Sequence, residues 1–379
     1  MSHWKVAVRG IGAYLPGEPI ATEDIDAYLG PIPGVDASRY YDIIERYAGV
    51  RHRHYALERG TGRLLEDSAD LATKAAKTAL ERAQVRGEDL DLIVTTTTTP
   101  PYLRGGLAKE ARLALGNAGC ATYDLWGACT GIQQAITLAT GAIRAGMFRR
   151  ALLIGVELAS TAGRAENYAN EKIERPDLLL RAALGDGAGA LVLTGSDDPA
   201  VEDGVLYTRS GTEGGDSSIF HREAGGSTVP LNRETFAEGL HHWRHDFAEM
   251  VRRGRPYCME IIRRTLETAG VDLEEVDYVV PAAANFNYFK EKEEGRRTLP
   301  PEKIAFAERV QAKTFTNFSE VGNIPSAAVY VALNGLHEAQ KLRPGTLLIL
   351  PSVEGATWGW GASLLQWHGP SNGKSDGMN

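Results

Sequence analysis

Asp124-Leu-Trp-Gly-Ala-Cys129-Thr-Gly131 is followed by apolar residues at Ile132, Ala135, Leu138, Ala139 and Ile143. The first segment reads as a strand end and the second as one face of an amphipathic helix, which puts Cys129 at a strand-to-helix turn. A helix start offers unpaired N–H groups and the positive end of the helix dipole, and both lower a thiol's pKa. A nucleophile on such an elbow, with a small residue before it and glycine soon after, is a recurring device of acyl-transfer enzymes. No metal-ligand spacing surrounds the cysteine. The alternative is a buried core thiol, because free cysteine is among the most buried residue types. Local sequence leaves both open.

Outward from the elbow, the chain echoes itself. Glu88-Asp-Leu-Asp-Leu-Ile-Val-Thr-Thr-Thr97 looks like Glu274-Glu-Val-Asp-Tyr-Val-Val-Pro-Ala-Ala283, each after a helical run (69–84 and 260–270). Ala151-Leu-Leu-Ile-Gly-Val-Glu157 likewise echoes Thr346-Leu-Leu-Ile-Leu-Pro-Ser-Val-Glu354. Apolar strands alternating with helices indicate a parallel-rich sheet covered on both faces. The expected division is 1–198, holding the nucleophile, and 199–379, with the switch near 198–204. The stretch 210–255 breaks the rhythm and reads as an insertion that caps the second half and shapes a substrate channel.

Composition sets limits. The 379 residues are 24% charged and 43% hydrophobic, ordinary for a globular protein with a large core. A net charge of −8 argues against nucleic acid and against an anionic membrane as main partners. Three cysteines with no apparent signal peptide lead to the expectation of a cytoplasmic protein. No apolar run approaches the roughly 20 residues a membrane helix needs.

The segment 121–160 resembles the nucleophile region of β-ketoacyl-(acyl carrier protein) synthase III, in the thiolase superfamily. Four other stretches resemble that family in order: Ile11-Gly-Ala-Tyr-Leu-Pro-Gly17, Asp89 to Pro100, Leu184-Gly-Asp-Gly-Ala-Gly-Ala-Leu-Val-Leu193, and Glu320-Val-Gly-Asn323-Ile-Pro-Ser-Ala-Ala328. The resemblance implies an α/β, thiolase-like fold: two pseudo-duplicated βαβαβ halves in five layers, α-β-α-β-α. It implies that Cys129 carries an acyl group attacked by a carbanion from a malonyl thioester. It also implies Asn323 as a holder of the thioester carbonyl, and the backbone N–H of Thr357 as an oxyanion donor beside that of Cys129.

The family's histidine sits in Pro-His-Gln-Ala-Asn, where this chain has Pro281-Ala282-Ala283-Ala284-Asn285. Losing one positioned donor of this kind costs about 10²–10³ in rate. Either the reaction does not need that histidine, or Ala282 is a substitution that disables it. Ile43 stands where the family stacks coenzyme A adenine on tryptophan, while Asn285 matches a pantetheine contact. No tightly bound cofactor is expected; the implied substrates are acyl-carrier-protein or coenzyme A thioesters. Lys290, Lys292, Arg296 and Arg297, or Arg252, Arg253 and Arg255, are candidates for a patch facing an acidic carrier protein or simply solvated charges. The family also implies a homodimer, with 120–125 as a weak supporting strand.

Other features read as structural. Gly185-Asp-Gly187-Ala-Gly189 runs into a strand and lacks dinucleotide-site spacing. His241, His242 and His245 read as a polar cap face rather than a metal site. His52 and His54 read as a surface strand, Cys120 and Cys258 as inert core thiols, and Glu320 as a solvated carboxylate or a base. The small residues at 95–99 suggest room for an acyl chain. Three functions follow: a condensing enzyme working through acyl–Cys129 in fatty acid, polyketide or related secondary metabolism; an acyltransferase passing that group to an alcohol, amine or carrier thiol without decarboxylation; and a non-catalytic partner subunit, which would be expected to lose its nucleophile.

Overall fold

Along Arg150–Leu158, Ala151 and Leu153 join one buried cluster, while Leu152, Ile154 and Val156 join another. A strand apolar on both faces must be covered on both sides, which makes it the centre of a layered α/β structure. The computed structural model describes residues 4–36, 38–102, 105–169, 173–213, 218–282, 289 and 299–369. Its strands are β1 (Lys5–Tyr14), β2 (Ile20–Ala21), β3 (His52–Arg53), β4 (Leu92–Thr97), β5 (Ala121–Trp126), β6 (Arg150–Leu158), β7 (Asp186–Ser196), β8 (Val205–Thr212), β9 (Phe220–His221), β10 (Arg244–His245), β11 (Tyr278–Val279), β12 (Leu347–Val353) and β13 (Gly359–Gln366). The longer helices are α1 (Ser68–Ala83), α2 (Leu107–Ala114), α3 (Gly131–Arg144), α4 (Arg175–Ala183), α5 (Arg255–Ala269), α6 (Pro301–Lys313) and α7 (Ala328–Glu338).

One sheet has the order β1-β7-β6-β4-β5 and the other β11-β12-β13-β8. Helices α3 and α7 fill the space between them, sharing one core cluster with strands of both sheets. Helices α1 and α2 cover the outer face of the first sheet, and α5 and α6 that of the second. The result is five layers, α-β-α-β-α, of the thiolase type.

The sequence echo has a structural counterpart. The pair β4–β6 is parallel, and β6–β7 and β7–β1 are antiparallel. In the second sheet β11–β12 is parallel, and β12–β13 and β13–β8 are antiparallel. The counterpart of β5 is reduced to a single bridge between Val279 and Thr314. The crossing from one sheet to the other falls between Ser196 and Val205. Described residues of the stretch expected to be an insertion form the two-residue ribbon β9–β10 and short helical turns.

Two expectations are corrected. Leu138 does not face the core: it is exposed, and Ile136 packs inward in its place. His54 is not on the surface. With Arg53 it is buried, because the Arg53 guanidinium donates to Ile20 O, Thr22 Oγ1 and Ala182 O while His54 Nδ1 lies 3.2 Å from Pro16 O. Those acceptors lie in other elements, so an alternating basic stretch could not disclose them. Among the described residues no helix is long and apolar enough to cross a membrane.

At the head of β7, Asp186 accepts hydrogen bonds from Ser160 N–H, Ser160 Oγ and Ala56 N–H. Burial nevertheless pushes its carboxyl up to about 6 from an ordinary 3.8. The folded state therefore holds this proton more tightly than the unfolded chain does. The resulting stability is fully present below pH ~4 and is lost as pH rises through ~6. In urea unfolding between pH 4.5 and 7.5, the parent should lose on the order of 2 kcal/mol more than Asp186→Asn, which does not titrate. Parallel pH curves for the two proteins would contradict this.

Candidate active site

Asp124 anchors the elbow. Its carboxylate accepts from Thr95 Oγ1 (2.6 Å), Ala108 N–H (2.9 Å) and Gly106 N–H (2.9 Å), tying β5 to β4 and to the first turn of α2. The turn that follows has no space for side chains at two points. A Cβ on Gly131 would fall 1.9 Å from Thr96 Oγ1, and one on Gly127 would fall 2.6 Å from Gly131 Cα. Cys129 sits between these glycines, just before α3.

Beside it lies a cavity of about 110 Å³ whose wall includes Cys129, Asn323, Ala282, Glu354, His245 and Cys258. The structure thus brings together Cys129, Asn323 and Ala282, which the sequence places far apart. Asn323 is fixed through its backbone: its N–H donates to Ala183 O (2.8 Å) and its carbonyl accepts from Gly185 N–H (2.9 Å). Its Oδ1 is buried and has no partner among the described residues. A buried amide atom left unpaired is costly, so it is ready for a polar group of a bound molecule. Ala282 presents only a methyl to the cavity, its N–H being donated to Pro351 O.

The expected lowering of the Cys129 pKa is corrected. Burial pushes the thiol up to about 12, and the carboxylates of Glu354 and Glu157 add to the rise. Desolvation, then the charges of Glu354 and Glu157, outweigh the opposing backbone N–H of Cys129 itself. Both effects favour the protonated thiol at Cys129.

Thr357 lies in the turn after β12 and is not on the cavity wall. Its N–H (3.1 Å) and Oγ1 (2.6 Å) donate to Glu354 Oε1, as does Gly359 N–H (2.9 Å), while Ala356 N–H donates to Glu354 Oε2 (2.6 Å). The donors of this turn converge on the chain's own carboxylate. The residue with left-handed backbone is Trp358, at φ 51°.

Asn285, Lys290, Lys292, Arg296 and Arg297 lie outside the described residues. In the other basic cluster Arg252 forks onto Glu249, Arg253 stacks on Trp358 (4.1 Å), and Arg255 donates to Phe289 O. Glu320 is exposed, pairs with His52 (2.9 Å) and is not on the cavity wall. The hydroxyls of Thr95, Thr97, Thr98 and Thr99 bond Asp124 and Glu157, and none of the residues 95–99 is on the wall of this cavity. His241 and His242 are buried rather than on a cap face; both approach Asn167 O, and His242 lies 3.2 Å from Asp177. Among the described residues no group of three or more His, Cys, Asp or Glu is arranged to hold a metal ion.

Sequence reasoning missed Glu157, Glu354 and His245. Glu157 carried one usable signal, a carboxylate directly ending an apolar strand. Cys258, taken as an inert core thiol, is buried but shares the cavity wall with Cys129.

Residues 123–214 match the model of 3-oxoacyl-[acyl-carrier-protein (ACP)] synthase III, and residues 266–367 match that of its C-terminal part. The β-ketoacyl-[acyl-carrier-protein] synthase III of Symbiobacterium thermophilum is 31% identical over 363 residues, covering 96% of this chain and 98% of that protein. The chain belongs to the synthase III family. The synthase III of Clostridioides difficile is 28% identical, over 96% of this chain and 98% of that protein. A solved synthase III structure from Aquifex aeolicus superposes with a TM-score of 0.73 at 27% identity, covering 96% of this chain and all of the other.

With the thiol near 12, about one molecule in 10⁴ carries thiolate at pH 8. Iodoacetamide alkylation of Cys129, followed by peptide mass, should rise about tenfold per pH step from 7 to 10 without a plateau. Glu354→Gln should accelerate it at each pH by removing one negative charge. A plateau below pH 8 would show an activated thiolate instead.

Proposed function

We propose that this synthase III family member is a condensing enzyme that works through an acyl–Cys129 thioester. The observation that carries the reading is the cavity whose wall joins Cys129, at a helix start, to the Asn323 side chain, whose amide N–H groups are donors. In loading, the Cys129 sulfur bonds to the acyl carbon of a donor thioester, the donor's C–S bond breaks, and the thiol proton leaves with the departing thiol. In extension, a malonyl thioester loses carbon dioxide. The electron pair left on C2 is delocalised as an enolate whose oxygen accepts a hydrogen bond from the Asn323 amide. C2 then attacks the acyl carbonyl and the Cys129 thiolate departs.

Ala282 favours a second reading, acyl transfer to an alcohol, amine or carrier thiol without decarboxylation, because that route develops no enolate at position 282. The donor is an acyl-carrier-protein or coenzyme A thioester. The missing adenine platform, with Ile43 at its place, favours a carrier protein. We read the active form as a homodimer joined edge to edge through β5, an edge strand that exposes Tyr123 and Trp126. Cytosolic residence agrees with three unpaired cysteines.

Incubation with a panel of acyl thioesters should give an intact-mass adduct that maps to Cys129 and disappears in Cys129→Ala. Carbon dioxide release from malonyl thioester should then separate the two readings. Acylation without release would select the transferase, and no adduct from any donor would remove both.

A further inference from the structure

The side chain at position 282 can neither donate nor accept a hydrogen bond, but the Cys129 cavity does contain an imidazole. His245 lies on its wall, delivered by β10 rather than by the segment after β11. The ribbon fixes the ring tightly. His245 pairs with Phe220 across β9–β10, stacks on Phe247 at 4.4 Å and 10°, and meets the Phe220 ring edge-on at 5.7 Å. Phe220 is itself stacked on Trp243 at 5.0 Å. The Nδ1 of His245 is buried, and the Asp246 backbone lies within hydrogen-bonding reach of the ring. The Asn323 side chain lies on the same wall. An imidazole and an amide on the wall of one cavity beside the Cys129 thiol describe a site for a polar ligand.

We propose that His245 is the catalytic imidazole of this enzyme, supplied by the β9–β10 ribbon in place of the side chain absent at position 282. The role rests on the condensing reading above. As carbon dioxide leaves the malonyl thioester, the electron pair moves through C2 to the thioester oxygen. The His245 N–H and the Asn323 amide N–H hydrogen-bond that oxygen, and the pair returns to C2 as the new carbon–carbon bond forms. No proton needs to be transferred to the ring. Burial agrees with this use: it depresses the imidazole to about 4, so the ring is neutral at physiological pH and keeps one N–H and one lone pair.

The test separates loading from decarboxylation. His245→Phe keeps the stacking on Phe247 and Phe220 and removes both ring nitrogens. Acyl–Cys129 should still accumulate, which shows that the variant folds, while carbon dioxide release from malonyl thioester should fall about 10²–10³-fold. Adding Ala282→His to the variant should restore part of that release, a rescue that a purely structural role for His245 would not give. Release within about threefold of the parent, with acyl–Cys129 formed, would overturn the role of His245 alone. A parent that loads acyl groups but releases no carbon dioxide would overturn the condensing reading and this role with it. A variant that no longer loads would likewise overturn the assignment, since the ring would then be needed before decarboxylation.

Discussion

Glu157 is the point on which the two halves of this molecule are joined. Its carboxylate has no exposed surface, yet it accepts from Thr98 N–H (3.0 Å), Thr98 Oγ1 (2.8 Å), Thr99 Oγ1 (2.8 Å) and Ser326 N–H (3.1 Å). A buried carboxylate without partners would cost several kcal/mol. Here donors from the end of β4 and from the loop carrying Asn323 supply what water would. Ser326 Oγ then donates to Gly127 O (2.8 Å), and the Ser326 carbonyl sits where a Cβ on Gly155 would be only 1.7 Å away. Glu157 therefore sets the loop, the loop sets the elbow, and the elbow sets Cys129. Burial still raises the Glu157 pKa against the pull of its donors, so its negative charge is easier to neutralise than that of a solvated carboxylate.

Burial of the thiol, reinforced by the charges of Glu354 and Glu157, favours the protonated form of Cys129. The arrangement is unfavourable for a standing thiolate and indifferent to a neutral thioester. Acylation replaces a neutral thiol by a neutral thioester, so the resting state and the loaded intermediate have the same charge. Negative charge is confined to the transition states, where differential stabilisation has most effect on rate. A nucleophile kept neutral between turnovers is also protected from alkylation and oxidation, which act on the thiolate.

The fold was legible because its signals are local and repeated. The echo of 88–97 in 274–283 appears as β4 and β11, and that of 151–157 in 346–354 as β6 and β12. Cys129 and Asn323 were readable as motif residues, since an elbow and a tight loop each impose a short pattern. Arg53 and His54 were not readable. Their hydrogen-bond acceptors come from β2, from the 16–17 turn and from α4, and nothing in a basic dipeptide marks such distant carbonyls. Glu354 was hidden for a different reason. A carboxylate at a strand end looks solvated until the turn after it folds back and directs the N–H groups of Ala356, Thr357 and Gly359 onto it. His245 was read with His241 and His242 because the three lie close in sequence. The ribbon separates them: His241 and His242 turn towards Asn167, and His245 turns to the cavity.

The division of labour within the cavity wall follows from chain topology. Cys129 and Asn323 are held by the duplicated framework, at the end of β5 and in the loop before α7, where glycine contacts and Glu157 leave no freedom. Phe220, His245 and Met250 come instead from the stretch between β8 and α5, whose short elements lie outside the two sheets. Segments that add little to the common core tolerate change more readily than the core does. On the proposal made for His245, the imidazole that Ala282 does not provide can be supplied from the cap without disturbing the layers, provided the cap is stiff. The stacked series Trp243–Phe220 and His245–Phe247 supplies that stiffness, since planar rings 4.4–5.0 Å apart constrain one another more than an aliphatic patch of equal area would. On the proposed mechanism the chemistry at the sulfur belongs to the family framework, and the polar groups that meet the second substrate belong partly to the cap.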